Sequence, residues 1–243
     1  METNKKTATI TDISPRKAAK IAGVVYLICI ALGAFANLFV RGSLIVYGDT
    51  ATTVNNIMAS ESLFRIGFVS DLIFLTCWLL LPLALYKLLK PVNSIHALLM
   101  VVFGLVMVPI MFINNASQFA ALLLLSGADY LTVFETGQLH AQVMFYLDLH
   151  HHGWLMAQIF WGLWLFPFGY LVYKSGSVYK SGYISKILGV LLMIGCFGYL
   201  IDFFIHMLFP DFDVAISLYT GLGEFLIPFW LLLKGGKILE KKS

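Results

Sequence analysis

Apolar residues are gathered into six long runs that short polar connections separate. A helix needs about 20 residues to cross the roughly 30 Å hydrocarbon core of a bilayer, and each run reaches that length. The runs cover residues 19–40, 63–88, 97–125, 153–173, 184–209 and 214–233. This pattern predicts an all-α fold, a polytopic membrane helical bundle with six transmembrane helices.

Two of the polar connections have a helical pattern of their own, which predicts short interfacial helices on the outer side. Residues 50–60 would place Val54, Ile57 and Met58 on one side of such a helix. Residues 130–150 lead into the fourth run, and the two segments together are too long for one crossing. We therefore expect a separate outer helix that bends near Gly153 into the fourth span.

Lysine and arginine lie almost entirely on one side of the predicted spans. Only Arg41 and Arg65 lie on the other side. By the positive-inside rule, both termini are predicted to be cytoplasmic, with residues 1–18 as a cytoplasmic tail. The basic residues on the side of the termini are Lys5, Lys6, Arg16, Lys17, Lys20, Lys87, Lys90, Lys174, Lys180, Lys186, Lys234, Lys237, Lys241 and Lys242.

Composition limits what else the chain can contain. A chain of 243 residues that is 60% hydrophobic and 12% charged has no room for a soluble domain beside six spans. Residues 1–243 are therefore expected to form a single membrane domain. The first run opens like a secretory signal but continues through Val40, so we expect it to remain as a span. The net charge of +3 lies in the flanks, where it indicates contact with the lipid bilayer and not with nucleic acid.

Polar and ionisable residues inside the runs are concentrated in the half of each span that is predicted to be outer. A charged group near the bilayer centre costs roughly 2.5–3.5 kcal/mol, so such groups normally face a bundle interior or a hydrated cavity. We therefore predict one shared cavity that is open to the outside. The alternative is a set of structural pairs, such as Arg65 with Asp71 or Asp202. The predicted lining residues are Arg65, Asp71, Asn114, Gln118, Asp202, His206 and Glu224.

Two Asp-x-x-x-His pairs indicate a second kind of chemistry. Asp148 precedes His152, and Asp202 precedes His206, at a spacing that directs both side chains of a pair to one helix face. Two carboxylates and two imidazoles are ligands that a divalent transition metal accepts, so this set is a candidate metal site. Asp71 or Glu224 would then act as general base or would hydrogen-bond to a metal ligand. Interfacial histidines beside lipid headgroups are the simpler interpretation.

Several stretches resemble a known family. They are RKAA at 16–19 with IAG at 21–23, LIV at 44–46 with GD at 48–49, SLFR at 62–65 with Asp71, LYKL at 85–88 with KPVN at 90–93, and ILGVL at 187–191 with GYLID at 198–202. Through them the chain resembles, over nearly its whole length, the uncharacterised prokaryotic multi-pass membrane proteins grouped as domain of unknown function 4386. The resemblance implies a prokaryotic protein of the plasma (inner) membrane, and it assigns no reaction and no catalytic residue.

The leading hypothesis is that the cavity binds or transports a small polar or amphipathic molecule. Arg65 would attract an anionic group at its mouth, while Asp71 and Glu224 would take up and release protons. One alternative is a metal-dependent membrane hydrolase that uses Asp148, His152, Asp202 and His206. The other is a structural or accessory membrane subunit. Whether the protein is an enzyme, and whether it forms a homo-oligomer, stays open.

Overall fold

The computed structural model of the protein describes residues 14–178, 182–209, 212 and 214–234. This part of the chain is helical without strands, and six helical segments are long and apolar enough to cross a membrane. The predicted fold class is therefore confirmed, while the orientation of the termini stays a prediction. The helices are α1 Pro15–Ala34, which continues as a π-helix Phe35–Arg41 and an α-helical turn Gly42–Leu44, α2 Thr50–Ala59, α3 Glu61–Leu89, α4 Ser94–Leu124, α5 Thr136–Val178, α6 Gly182–Leu208, α7 Ile216–Thr220 and α8 Leu222–Leu233.

The six spanning helices pack as a closed ring in chain order. Helix α1 contacts α3 and α8, and the pairs α3–α4, α4–α5, α5–α6 and α6–α8 complete the ring. The short helix α2 packs against α5 and α3 at one end of this ring. We call this end the α2 end. The turn between α3 and α4 lies at the opposite end.

Helix α5 corrects one detail of the prediction. It is continuous over 43 residues, so the separate outer helix expected before Gly153 is instead the first part of α5. Gly153 does not break the helix. It allows close packing, since a Cβ atom there would collide with the Asn114 side chain of α4. At about 1.5 Å per residue, α5 is roughly 65 Å long and extends well beyond the hydrocarbon core.

Aromatic side chains fill the centre of the ring. The rings of Trp78 and Trp164 are 5.0 Å apart and both side chains are buried, as is Phe168, which stacks on Trp164. The Trp78 indole N–H donates to the Gly104 carbonyl of the neighbouring helix at 3.0 Å. Since lipid tails are as apolar as these side chains, such packing and interhelical hydrogen bonds stabilise the bundle more than burial itself.

Glycine allows a close contact between the helices α5 and α6. A Cβ atom at Gly169 would lie 2.6 Å from the Gly189 carbonyl oxygen, and one at Gly189 would lie 2.5 Å from the Tyr173 nitrogen. Small residues let membrane helices approach to backbone contact in this way. The tight α5–α6 pair therefore forms one closely packed wall of the bundle.

Candidate functional site

The π-helical end of α1 positions an arginine inside the bundle. Arg41 closes the segment Phe35–Arg41 and is only 9% exposed. Its Nε donates to Asn37 Oδ1 at 3.2 Å, and the Asn37 amide in turn donates to the Gly33 carbonyl at 3.0 Å. Local π-helical turns occur frequently at functional sites. Here the segment orients the guanidinium towards the neighbouring helices.

Arg41 forms a buried ion pair that joins three helices. Its Nη2 donates to Asp71 Oδ1 of α3 at 3.2 Å, and its Nη1 donates to Asp71 Oδ2. Nη1 also donates to Gln118 Oε1 of α4 at 3.1 Å. The two charged side chains are each 10% exposed. A bidentate pair of this kind is strong and directional, so it fixes the relative positions of α1, α3 and α4.

A cavity of about 340 Å³ lies beside this ion pair, between the end of α1 and α5. Asn37, Arg41 and His150 give it hydrogen-bonding groups, and Tyr47, His151 and Trp154 give it aromatic surface. The Tyr47 and His151 rings lie 5.1 Å apart. Burial raises the pKa of the Tyr47 hydroxyl, and the Arg41 charge partly opposes the rise. Tyr47 therefore remains a neutral hydrogen-bond donor at neutral pH. The complete lining is Asn37, Arg41, Gly42, Ile45, Tyr47, His150, His151 and Trp154.

Buried amides continue from the cavity into the α4–α5 interface. The Asn114 side chain donates to the His150 carbonyl at 2.9 Å, which brings this predicted residue next to a cavity wall. Within the described part of the chain, several other buried side-chain atoms have no hydrogen-bond partner. In this interface they are Asn115 Nδ2 and Oδ1, Gln118 Nε2, His150 Nε2 and Gln158 Oε1, and elsewhere in the bundle they are the indole nitrogens of Trp164 and Trp230. An unsatisfied buried polar group costs roughly 1–3 kcal/mol, so these atoms offer hydrogen-bonding capacity that a water molecule or a ligand can satisfy.

Arg65 does not belong to the site, contrary to the prediction. It lies on the exposed face of α3 and pairs with Glu61, with 2.7 Å between Arg65 Nε and Glu61 Oε1. Arg65 and Asp71 are six positions apart, which places them about 120° apart around an α-helix, so the two side chains lie on different faces. Arg41 takes the place that was predicted for Arg65. The four-residue spacing of Asn37 and Arg41 was the available signal for it.

Glu224 forms a second polar centre, so the prediction of one shared cavity is corrected. Tyr26 of α1 donates to Glu224 Oε1 at 3.0 Å, and Tyr199 of α6 donates to Oε2 at 2.7 Å. Glu224 lies in the first turn of α8. On α1, Tyr26 and Arg41 are separated by roughly 20 Å, because a helix rises about 1.5 Å per residue. Asp71 and Gln118 contact the lining residue Arg41 without lining the cavity themselves, and Glu224 lies elsewhere in the bundle.

The residues of the predicted metal site make other contacts. Both Asp202 oxygens accept backbone N–H groups at the start of α7, from Ile216 at 2.6 Å and Ser217 at 2.9 Å. His206 Nδ1 lies 2.8 Å from the Asp202 carbonyl oxygen, and His152 Nδ1 lies 2.8 Å from that of Asp148. In the described ranges, no three His, Cys, Asp or Glu side chains are arranged to hold a metal ion. The four-residue spacing directs each imidazole to its own helix backbone, which is why the predicted set does not assemble.

Comparison with known proteins places the chain in a family. No solved structure matches it significantly. A protein of Archaeoglobus fulgidus, named only as uncharacterized, is 35% identical over 162 residues, which cover 66% of this chain and 78% of that protein. The family described as Domain of unknown function (DUF4386) matches residues 21–235, which include parts of all six spanning segments. The chain is therefore a multi-pass membrane protein of the DUF4386 family.

Proposed function

We propose that the protein binds a small amphipathic molecule in the cavity between α1 and α5. The observation that carries the proposal is the lining itself, since a guanidinium, an amide and an imidazole share one cavity with Tyr47 and Trp154. Ligand sites are typically cavities of about 300–1,000 Å³ with mostly apolar walls and a few polar groups. The volume of about 340 Å³ is at the small end of that range.

The ion pair determines which ligand chemistry suits the cavity. Of the five N–H donors of a guanidinium, Arg41 uses one for Asn37, two for Asp71 and one for Gln118. One donor on Nη2 remains, and the Asp71 charge neutralises the Arg41 charge. The ligand therefore needs a hydrogen-bond acceptor and an apolar part, and it does not need a negative charge.

The arrangement supports binding more than transport. Transport would require the cavity to open towards the opposite end, where the buried rings of Trp78, Trp164 and Phe168 fill the centre of the ring. Glu224, which was predicted as a coupling group, lies among these aromatic residues and not in the cavity. No observed contact favours a hydrolase, and an accessory role would require a partner that copurifies in fixed ratio.

The test is a thermal-shift screen of small amphipathic compounds on detergent-purified protein. Compounds that raise the melting temperature of the wild type would be titrated against His151→Ala, which alters the cavity wall. His152→Ala is the matched control, because His152 is adjacent, exposed and absent from the lining. We expect a weakening of about tenfold or more in His151→Ala only, equivalent to about 1.4 kcal/mol. Equal responses of the two variants would exclude binding in this cavity.

We also propose that the opposite end of the bundle faces the cytoplasm of a prokaryotic cell, with the protein in the plasma membrane. Among the described basic residues, all except Arg41 and Arg65 lie at or near that end. Lys5, Lys6, Lys180, Lys237, Lys241 and Lys242, which contributed to the prediction, lie outside the described residues. In a variant without native cysteines, a membrane-impermeant maleimide should label Ala51→Cys in intact cells and should not label Lys17→Cys. Labelling of Lys17→Cys alone would reverse the orientation.

A further inference from the structure

Three lysines at the opposite end each lie over a tyrosine ring. The ammonium nitrogen is 5.4–5.9 Å from the ring centroid in each pair, within the range of a cation–π interaction. Each lysine is thereby held in place by an aromatic neighbour. The pairs are Lys90 with Tyr86, Lys174 with Tyr170, and Lys186 with Tyr173. We call Lys90, Lys174 and Lys186 the lysine arc.

The lysine arc follows neighbouring helices around one side of the ring. Lys90 ends α3, Lys174 lies on α5 and Lys186 on α6. Helix α4 joins them, because the His96 ring stacks on Tyr170 with 4.1 Å between the ring centroids. The His96 ring is oriented by Asn93, whose Oδ1 lies 3.1 Å from His96 Nδ1. The arc therefore spans the ends of α3, α5 and α6, with α4 packed between α3 and α5.

Charge at this end is one-sided within the described part of the chain. No described Asp or Glu lies there. Every described acidic residue lies either in a connection at the α2 end or within a spanning helix, as Asp71 and Glu224 do. The described basic residues near the opposite end are Arg16, Lys17, Lys20, Lys87, Lys90, Lys174, Lys186 and Lys234. The arc thus carries a positive charge that the carboxylates of the described chain do not balance.

We propose that the lysine arc binds the phosphate group of an anionic phospholipid in the adjacent leaflet. Lysine ammonium groups bind phosphate oxygens, and tyrosines are enriched at the membrane–water interface. A lipid fits better than a soluble phosphate because apolar side chains next to the arc are exposed where acyl chains would lie. Ile95 is 69% exposed, Leu98 is 55% exposed and Ile187 is 44% exposed. The proposal is independent of the ligand in the α2-end cavity.

The test compares two triple variants with the same change of charge. Lys90→Gln/Lys174→Gln/Lys186→Gln removes the arc, and Arg16→Gln/Lys17→Gln/Lys20→Gln removes three exposed cations of α1 near the same end. Native mass spectrometry of detergent-purified protein, titrated with phosphatidylglycerol or phosphatidylcholine, measures lipid retention. We expect phosphatidylglycerol affinity to fall about five-fold for each arc lysine removed. The α1 variant should change it by less than about two-fold overall.

Equal losses in the two triple variants, or a loss in neither, would overturn the proposal. A Lys→Arg triple at the arc should retain binding, which separates loss of charge from loss of fold. If the Gln triple does not fold, Lys174→Gln alone should still weaken phosphatidylglycerol binding relative to Lys17→Gln. Inorganic phosphate that displaces the lipid completely at equal concentration would identify a soluble anion as the ligand instead. Equal retention of phosphatidylglycerol and phosphatidylcholine would also overturn the proposal, because the arc would then not distinguish an anionic lipid from a zwitterionic one.

Discussion

The two buried carboxylates of this bundle are satisfied in different ways. Asp71 is 7% exposed and accepts from the Arg41 guanidinium, whereas Glu224 is 8% exposed and accepts from two tyrosine hydroxyls. A guanidinium stays charged and can only donate, and it donates to both Asp71 oxygens. A phenol can donate to a carboxylate or accept from a carboxylic acid. Asp71 is therefore held by an ion pair, whereas Glu224 is held by hydrogen bonds from neutral donors.

The largest expected effect is the loss of Arg41. In Arg41→Met, Asp71 would remain buried without its cation, and breaking a buried ion pair by removing one partner costs about 3–5 kcal/mol. The free energy of unfolding, measured by denaturant titration in micelles, should fall by that amount. Since Arg41 also bonds Asn37 and Gln118, the end of α1 should exchange its amide hydrogens faster in this variant.

The double variant Arg41→Met/Asp71→Leu controls for the side-chain volume and removes both charges. We expect it to recover most of the lost stability, because a buried ion pair replaced by apolar residues is often neutral in energy. A single variant as stable as the wild type would contradict the view of Asp71 as a carboxylate held by charge.

Glu224→Gln should have a smaller effect. The amide keeps the shape of the side chain and one acceptor oxygen, so one phenol loses a charge-assisted hydrogen bond while packing is retained. Hydrogen bonds to charged groups contribute about 1.5–3 kcal/mol, and we expect a loss near the lower value. The matched control is Glu61→Gln, an exposed acid that pairs with Arg65 and should change stability by less than about 0.5 kcal/mol. A cost equal to that of Arg41→Met would mean that Glu224 is also held by a charge.

Asp202 is a third buried carboxylate, and its hydrogen-bond partners are backbone groups, unlike those of Asp71 and Glu224. Its carboxylate caps the start of α7, and loss of a cap costs about 0.5–2 kcal/mol. Asp202→Ala should therefore destabilise α7 locally, seen as faster hydrogen exchange over residues 216–220, and Asp202→Asn should retain part of the protection. His206→Ala should leave this exchange unchanged. Stoichiometric metal that both Asp202→Ala and His206→Ala lose would instead restore the metal hypothesis.

The spans could be predicted from the sequence because length and apolar composition alone decide whether a helix can cross a bilayer. Two of the seven predicted cavity residues, Asp71 and Gln118, meet at Arg41 for a related reason, since polar groups inside spans must find partners. Arg41 itself was left out because a basic residue at the end of an apolar run has the pattern of a flank. The π-helical turn that brings it inward leaves no trace in the hydrophobic pattern.

Contacts between distant segments account for the other differences. Gly153 has the pattern of a helix breaker, yet it lies within α5, and its lack of a side chain makes room for Asn114 of the neighbouring helix. Glu224 and Asp71 have similar positions relative to their runs, and only the packing of α8 against α1 and α6 separates them. Asp202 and His206 have metal-ligand spacing, but the backbone of α7 takes the carboxylate. Each of these contacts depends on which helices pack against one another. The hydrophobic pattern of a single sequence does not reveal that arrangement.

The smallest expected effect concerns Asp49, an exposed carboxylate that, like Glu224, has neutral donors. It caps α2 by accepting from the Thr52 backbone N–H at 2.9 Å and the Thr52 hydroxyl at 2.7 Å, and these bonds lower its pKa below the usual value. Because the folded pKa is depressed, the cap stabilises α2 fully above the unfolded pKa of about 3.9 and is lost as pH falls through the folded value. Hydrogen exchange of residues 50–59 should therefore show a loss of protection at acidic pH, and Asp49→Asn should remove that dependence. The prediction is wrong if the exchange protection of α2 in the wild type does not change across this pH range. In that case the charge of the Asp49 carboxylate would not contribute to the stability of the helix.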